Sequence, residues 1–150
     1  MKPAKFEDLI GKTITKISGG EWEWRPADLT NVFKIKDPSP GVRELMICTQ
    51  EGPMYSMSHH DQDCCEDVHL DDICGDLSDL IGSPILKAEE TSNKENDSEY
   101  GDILLWTFYH LSTKNGTVTL RWRGSSNGYY STEVDLMELG DNDVLTHLPA

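Results

Sequence analysis

The sequence predicts an α+β domain built mostly from an antiparallel β-sheet meander, with one or two short helices. Three observations lead there. β-branched and aromatic residues gather in runs of strand length, turn-forming clusters bound those runs, and only two stretches carry helix signals. The 150 residues suit one domain, 1–150, able to bury a single core.

Taken in order, "FEDLIGK" predicts a short helical turn over Phe6–Ile10 that Gly11 ends. "TITKI" is β-branched and extended. "GGEWEWRPADLTN" alternates Trp22 and Trp24 with acids, which puts both indoles on one strand face. "NVFKIK", "ELMICT" and "PMYSM" read as further strands, separated by "DPSPG" and "QEGP". "GDLSDLIGSP" reads as one short helix, with Asp76 as its cap, Leu77, Leu80 and Ile81 on one face, and Gly82 and Pro84 as its stop. "PILKAEETS" resumes a strand, and residues 93–102, "NKENDSEYGD", read as an acid-rich loop. The last third holds the strands "ILLWTFYHLST", "TVTLRWR" and "YYSTEVDLMEL". Lys114-Asn115-Gly116 and Ser125-Ser126-Asn127-Gly128 join them, and Asn-Gly is a strong hairpin signal.

The formal net charge of −14 argues against duplex nucleic acid as a partner, because such affinity comes from Lys and Arg neutralising phosphates. No stretch approaches the ~20 apolar residues of a membrane span. "MKPAKFEDLIGK" lacks the apolar centre of a signal peptide, which predicts a cytoplasmic protein. Cys48, Cys64, Cys65 and Cys74 are then expected to stay reduced thiols, without disulfides.

Three stretches carry candidate chemistry. "SHHDQDCCEDVH" crowds His59, His60, Asp61, Asp63, Cys64, Cys65, Glu66 and His69 together. Zinc and a Cys–His nucleophile are the chemical readings, but the spacing matches no zinc ribbon or finger and no second ligand pair stands elsewhere. A polar segment with buried thiols and satisfied imidazoles is the expectation, with neither metal nor cofactor. "DLSDLIG" and "KAEE" bring carboxylates together, and such runs are ordinarily solvated faces.

The third stretch is "RWRGSSNGYYS". A chain with four arginines puts two of them, Arg121 and Arg123, into one strand. Residues i and i+2 of a strand face the same way about 6–7 Å apart, so the two guanidinium groups suit the phosphates of a pyrophosphate. Leu120 and Trp122 then face the core. Asn127 and its turn offer further donors, and Tyr129, Tyr130, Phe108 or Trp106 offer a flat surface for a purine. The bland alternative pairs the arginines across strands with Glu133 and Asp135.

The order "SHHDQDCCEDVHLDDICGDLSDLIGSPILKAEE", "WTFYHL" and "TLRWRGSSNGYYSTEVD" resembles a family of small phage proteins, the first-described Thoeris anti-defence family. The resemblance covers about residues 54–136, and residues 20–43 look like an N-terminal elaboration on it. It implies a non-enzymatic sponge that captures a cyclic ADP-ribose isomer intact in the host cytoplasm, after the host makes it as an immune signal. It also implies a homo-oligomer, built from dimers and reaching hexamers, with pockets at subunit boundaries and, in some members, separate sites for cyclic oligonucleotides. Arg121, Arg123, Phe108 and the Asn127 turn carry over as pocket parts, with His60 and Asp61 beside them. Two other classes compete: an enzyme degrading such a signal through residues 59–69, and an acidic inhibitor that binds a host protein.

Overall fold

Alternation of apolar and polar residues along the strands decides the architecture, because each strand buries one side. The computed structural model describes residues 1–59, 66–96, 103–126 and 133–140. Among these residues ten strands run in the order β1 (Lys2–Pro3), β2 (Ile14–Arg25), β3 (Thr30–Lys36), β4 (Glu44–Thr49), β5 (Met54–Ser58), β6 (Glu66–Cys74), β7 (Lys87–Asn96), β8 (Ile103–Thr113), β9 (Gly116–Ser126) and β10 (Asp135–Leu139). They form a six-stranded sheet, β1-β10-β5-β4-β2-β3, and a four-stranded sheet, β6-β9-β8-β7. Every neighbouring pair within the sheets is antiparallel.

The expected, mostly antiparallel β architecture is therefore observed, arranged as two sheets. The expected helices reduce to two 3-10 turns, Phe6–Leu9 and Leu77–Leu80. Asp76 caps the second, accepting the Ser78 amide at 3.0 Å. Four residues close too few hydrogen bonds to propagate an α-helix. Each turn instead delivers one or two apolar plugs, Phe6 and Leu9 or Leu80, into the core. The loop expected over residues 93–102 is shorter at its start. β7 continues to Asn96, pairing Asn93 with Trp106 and Asn96 with Ile103. Backbone pairing overrides the polar composition there, and residues 97–102 lie outside the described ones.

One buried cluster takes side chains from both sheets. Leu45, Ile47, Tyr55 and Met57 come from the larger, and Val68, Leu70, Tyr109, Leu111, Val118, Leu120 and Trp122 from the smaller. Isolated bridges from Thr13 to Pro84 and from Ile14 to Ile81 tie the start of β2 to the segment between β6 and β7. The β8–β9 hairpin turns through Lys114 and Asn115, with Thr113 opposite Gly116, as the Asn-Gly signal predicts. Among the described residues, no helix is long and apolar enough to cross a membrane.

Residues 20–43 form a projecting ribbon and a return segment. β2 pairs with β4 as far as Gly20, beyond which Glu21–Arg25 pair with β3 alone. Trp22 and Trp24 share one face and are more than half exposed. The Phe33 ring lies over Gly20, where a Cβ would come within 2.4 Å of it, and meets Trp22 at 5.1 Å between centroids. Glu21 and Glu23 pair with Lys36 and Lys34. The return segment then reaches β6, where the Gly41 amide donates to the Leu70 carbonyl at 2.7 Å and the Leu70 amide to Val42 at 2.9 Å.

Candidate functional site

With Leu120 and Trp122 pointing inward at 1% exposure each, Arg121 and Arg123 share the opposite face of the four-stranded sheet. Register builds that face in rows. One row runs His69, Arg123, Trp106, Asn93 across β6, β9, β8 and β7; the next runs Asp72, Arg121, Phe108, Thr91. The two arginines, Trp106 and Phe108, which the sequence offered from separate strands, thus come together.

Both guanidinium groups lie over the Trp106 ring, at 5.6 Å for Arg121 and 6.0 Å for Arg123. Such cation–π contacts hold two like charges near each other on a partly exposed face. The cross-strand partners proposed for the arginines, Glu133 and Asp135, are not the ones observed. Arg121 instead donates from Nε to Asp71 Oδ2 at 2.7 Å, and its Nη2 lies in ion-pair contact with the same oxygen at 2.6 Å. Asp72 stands at 3.9 Å. The hydrogen bond to Asp71 holds the Arg121 guanidinium still more firmly protonated than usual. Among the described residues no carboxylate pairs with Arg123.

A β-bulge makes this pairing. The β6–β9 register shifts between Leu70 and Asp72, so Asp71 and Asp72 together face the single residue Arg121. A bulge adds one residue to one strand and re-aims a side chain. Sequence reading passed over Asp71 and Asp72. Their signal was present: Val68 and Leu70 keep period two, and the next apolar residue, Ile73, comes three steps later.

The neighbouring row, Thr119, His110 and Glu89, adds another residue the sequence did not single out. His110 is held at both ring nitrogens, Nδ1 to Thr119 Oγ1 at 3.0 Å and Nε2 to Thr91 Oγ1 at 3.3 Å. Its ring lies nearly parallel to that of Phe108, with centroids 6.5 Å apart. Among the described residues, the face thus offers aromatic surface, one guanidinium paired with carboxylates and one that is not.

Much of "SHHDQDCCEDVH" is outside the described residues, including His60, Asp61, Asp63, Cys64 and Cys65. Asn127, Tyr129 and Tyr130 are outside them too. What flanks these stretches is described. The His59 side chain is buried, Nδ1 bonding to the Glu133 carbonyl at 2.7 Å and Nε2 to the buried Glu66 carboxylate. His69 bonds to Asp67 at 3.2 Å, and Arg43 reaches the same carboxylate at 2.9 Å. Among the described residues no three His, Cys, Asp or Glu side chains come together as a metal site.

The chain belongs to the family described as a domain of unknown function, DUF7448, which matches residues 7–136. No curated protein and no solved structure matches the chain.

Proposed function

We propose that this DUF7448 chain is a phage anti-defence protein that binds and sequesters a cyclic ADP-ribose isomer, without degrading it. The observation that carries the reading is the shared face of Arg121, Arg123, Trp106 and Phe108. Among the described residues no carboxylate pairs with the Arg123 guanidinium, so it can take phosphate oxygens bidentately, and aromatic rings offer a purine a stacking surface. The resemblance of residues 54–136 to the Thoeris anti-defence sponges supplies the ligand class. His60, Asp61, Asn127, Tyr129 and Tyr130 remain proposed pocket parts on that resemblance and their chemistry. As a sponge the protein needs no cofactor and no catalytic group, acts in the host cytoplasm, and works as a homo-oligomer, a dimer or hexamer, enclosing ligand between subunits. Nanomolar retention needs about −12 kcal/mol, which a small domain reaches most directly by enclosing most of the ligand surface.

The test is mass spectrometry of small molecules released by heat from protein incubated in lysate of defence-expressing cells. Intact cyclic ADP-ribose isomer in stoichiometric amount is the expected result. A converted product would make the protein an enzyme on that signal. Release of no nucleotide would leave the acidic protein-binding inhibitor as the better reading.

A further inference from the structure

We infer that Asp71 is an internal competitor for the anion site, a carboxylate that occupies Arg121 until a phosphate displaces it and so sets how tightly the face binds. This rests on reading the face as an anion site. The geometry is that of a ligand already in place. One carboxylate oxygen accepts the Nε–H of Arg121 at 2.7 Å and lies 2.6 Å from Nη2, so it occupies the Nε/Nη2 edge through which a guanidinium takes a phosphate. The pair is not buried: the Arg121 side chain is 39% exposed and that of Asp71 24%, so an incoming anion can reach it.

Asp71 is there only because of the bulge. Without the extra residue, Asp72 alone would oppose Arg121. Asp72 is otherwise engaged, accepting the Ile73 amide at 2.9 Å and lying 3.9 Å from the guanidinium. The bulge is anchored, because Gly41 and Val42 hydrogen-bond to both backbone groups of Leu70 immediately before it. Asp71 is thereby a residue built into opposition with Arg121, while Arg123, two positions along, has no such rival among the described residues. A ligand first meets Arg123 beside Trp106 and gains Arg121 only by displacing Asp71. Asp71 also sits where a bound phosphate would be repelled by it.

Asp71→Asn keeps the side chain's shape and one acceptor while removing its charge. Calorimetric titration with cyclic ADP-ribose, and separately with inorganic pyrophosphate, should show Asp71→Asn binding on the order of tenfold tighter than the unaltered protein. Asp72→Asn should bind much less than tenfold tighter. In an Arg121→Ala background the Asp71→Asn gain should disappear, which a merely structural role for Asp71 would not produce. Equal gains from the two Asn variants, or a gain that survives Arg121→Ala, would overturn the inference in favour of a general relief of negative charge. Weaker or unchanged binding of both probes by Asp71→Asn would overturn it outright. Pyrophosphate separates this inference from the functional reading. If cyclic ADP-ribose binds to none of the proteins while Asp71→Asn still tightens pyrophosphate, the competitor stands and the sponge reading falls.

Discussion

Gly75 and Glu90 show how single residues around the smaller sheet are constrained from opposite directions. Gly75 ends β6 at φ +112°, in the left-handed region, and a Cβ there would lie 2.7 Å from the Thr117 carbonyl oxygen. Backbone cannot swing aside as a side-chain tip can, so both conformation and space demand glycine. Gly75→Ala should lower stability by at least about 1–3 kcal/mol in chemical denaturation. A variant of unchanged stability would place β6 and β9 further apart than described. Glu90 has the reverse problem. Although the residue is exposed, partial desolvation raises its carboxyl above the ordinary value of 4.5, and the charges of Glu7 and Glu133 raise it further. A carboxyl raised in the folded state binds its proton more tightly there, so the chain loses stability as pH rises through that raised value. Glu90→Gln, a neutral mimic of the protonated form, should raise the melting temperature at pH 7. The gain should fade as pH falls below the unfolded carboxyl range. A gain that persists unchanged at pH 3 would assign the effect to packing.

At the scale of elements, Trp122 sets the register of the β8–β9 hairpin and hence which face carries the arginines. It is 1% exposed, and its Nε1 has no hydrogen-bond partner among the described residues. Trp122→Ala should cost about 3–5 kcal/mol, as aromatic truncations in cores do. Trp122→Phe should cost much less, because it removes an unpaired N–H whose burial is itself unfavourable by about 1–3 kcal/mol. Equal losses from the two would mean that the indole N–H finds a partner in solution. The hairpin was legible in the sequence because period two and Asn-Gly act locally and agree. The same locality explains what was missed. Arg121's partners lie across the sheet, fifty residues upstream for Asp71, and are selected by a bulge whose sequence mark is a single skipped step in "HLDDIC". The end of β7 was misread because its residues are polar and exposed, and only pairing with β8 makes Lys94 and Glu95 a strand. The ribbon's tryptophans were placed on one face correctly, but the contact of the ribbon's return segment with β6 was invisible. It runs through Gly41 and Val42, whose bonds to Leu70 depend on where the chain returns after β3.

For the whole molecule, the proposed function asks a chain of net charge −14 to present positive charge to an anion. The open face of the smaller sheet would do so by holding Arg121 and Arg123 over Trp106, where among the described residues carboxylates pair with Arg121 alone. If cyclic ADP-ribose binds only the folded protein, 100-fold excess over its dissociation constant adds about 2.7 kcal/mol of stability. For a chain of this size that corresponds to a rise of roughly 5–11 °C in melting temperature. Arg123→Ala should remove most of the rise while hardly moving the unliganded melting point, because this guanidinium has no ion pair to lose among the described residues. Linear ADP-ribose carries the same pyrophosphate but loses more conformational freedom on binding, so its shift should be smaller. Equal shifts from the cyclic and linear compounds would reduce the site to a general anion patch. The absence of any shift with cyclic ADP-ribose isomers and cyclic oligonucleotides alike would leave the paired arginines without the proposed ligand.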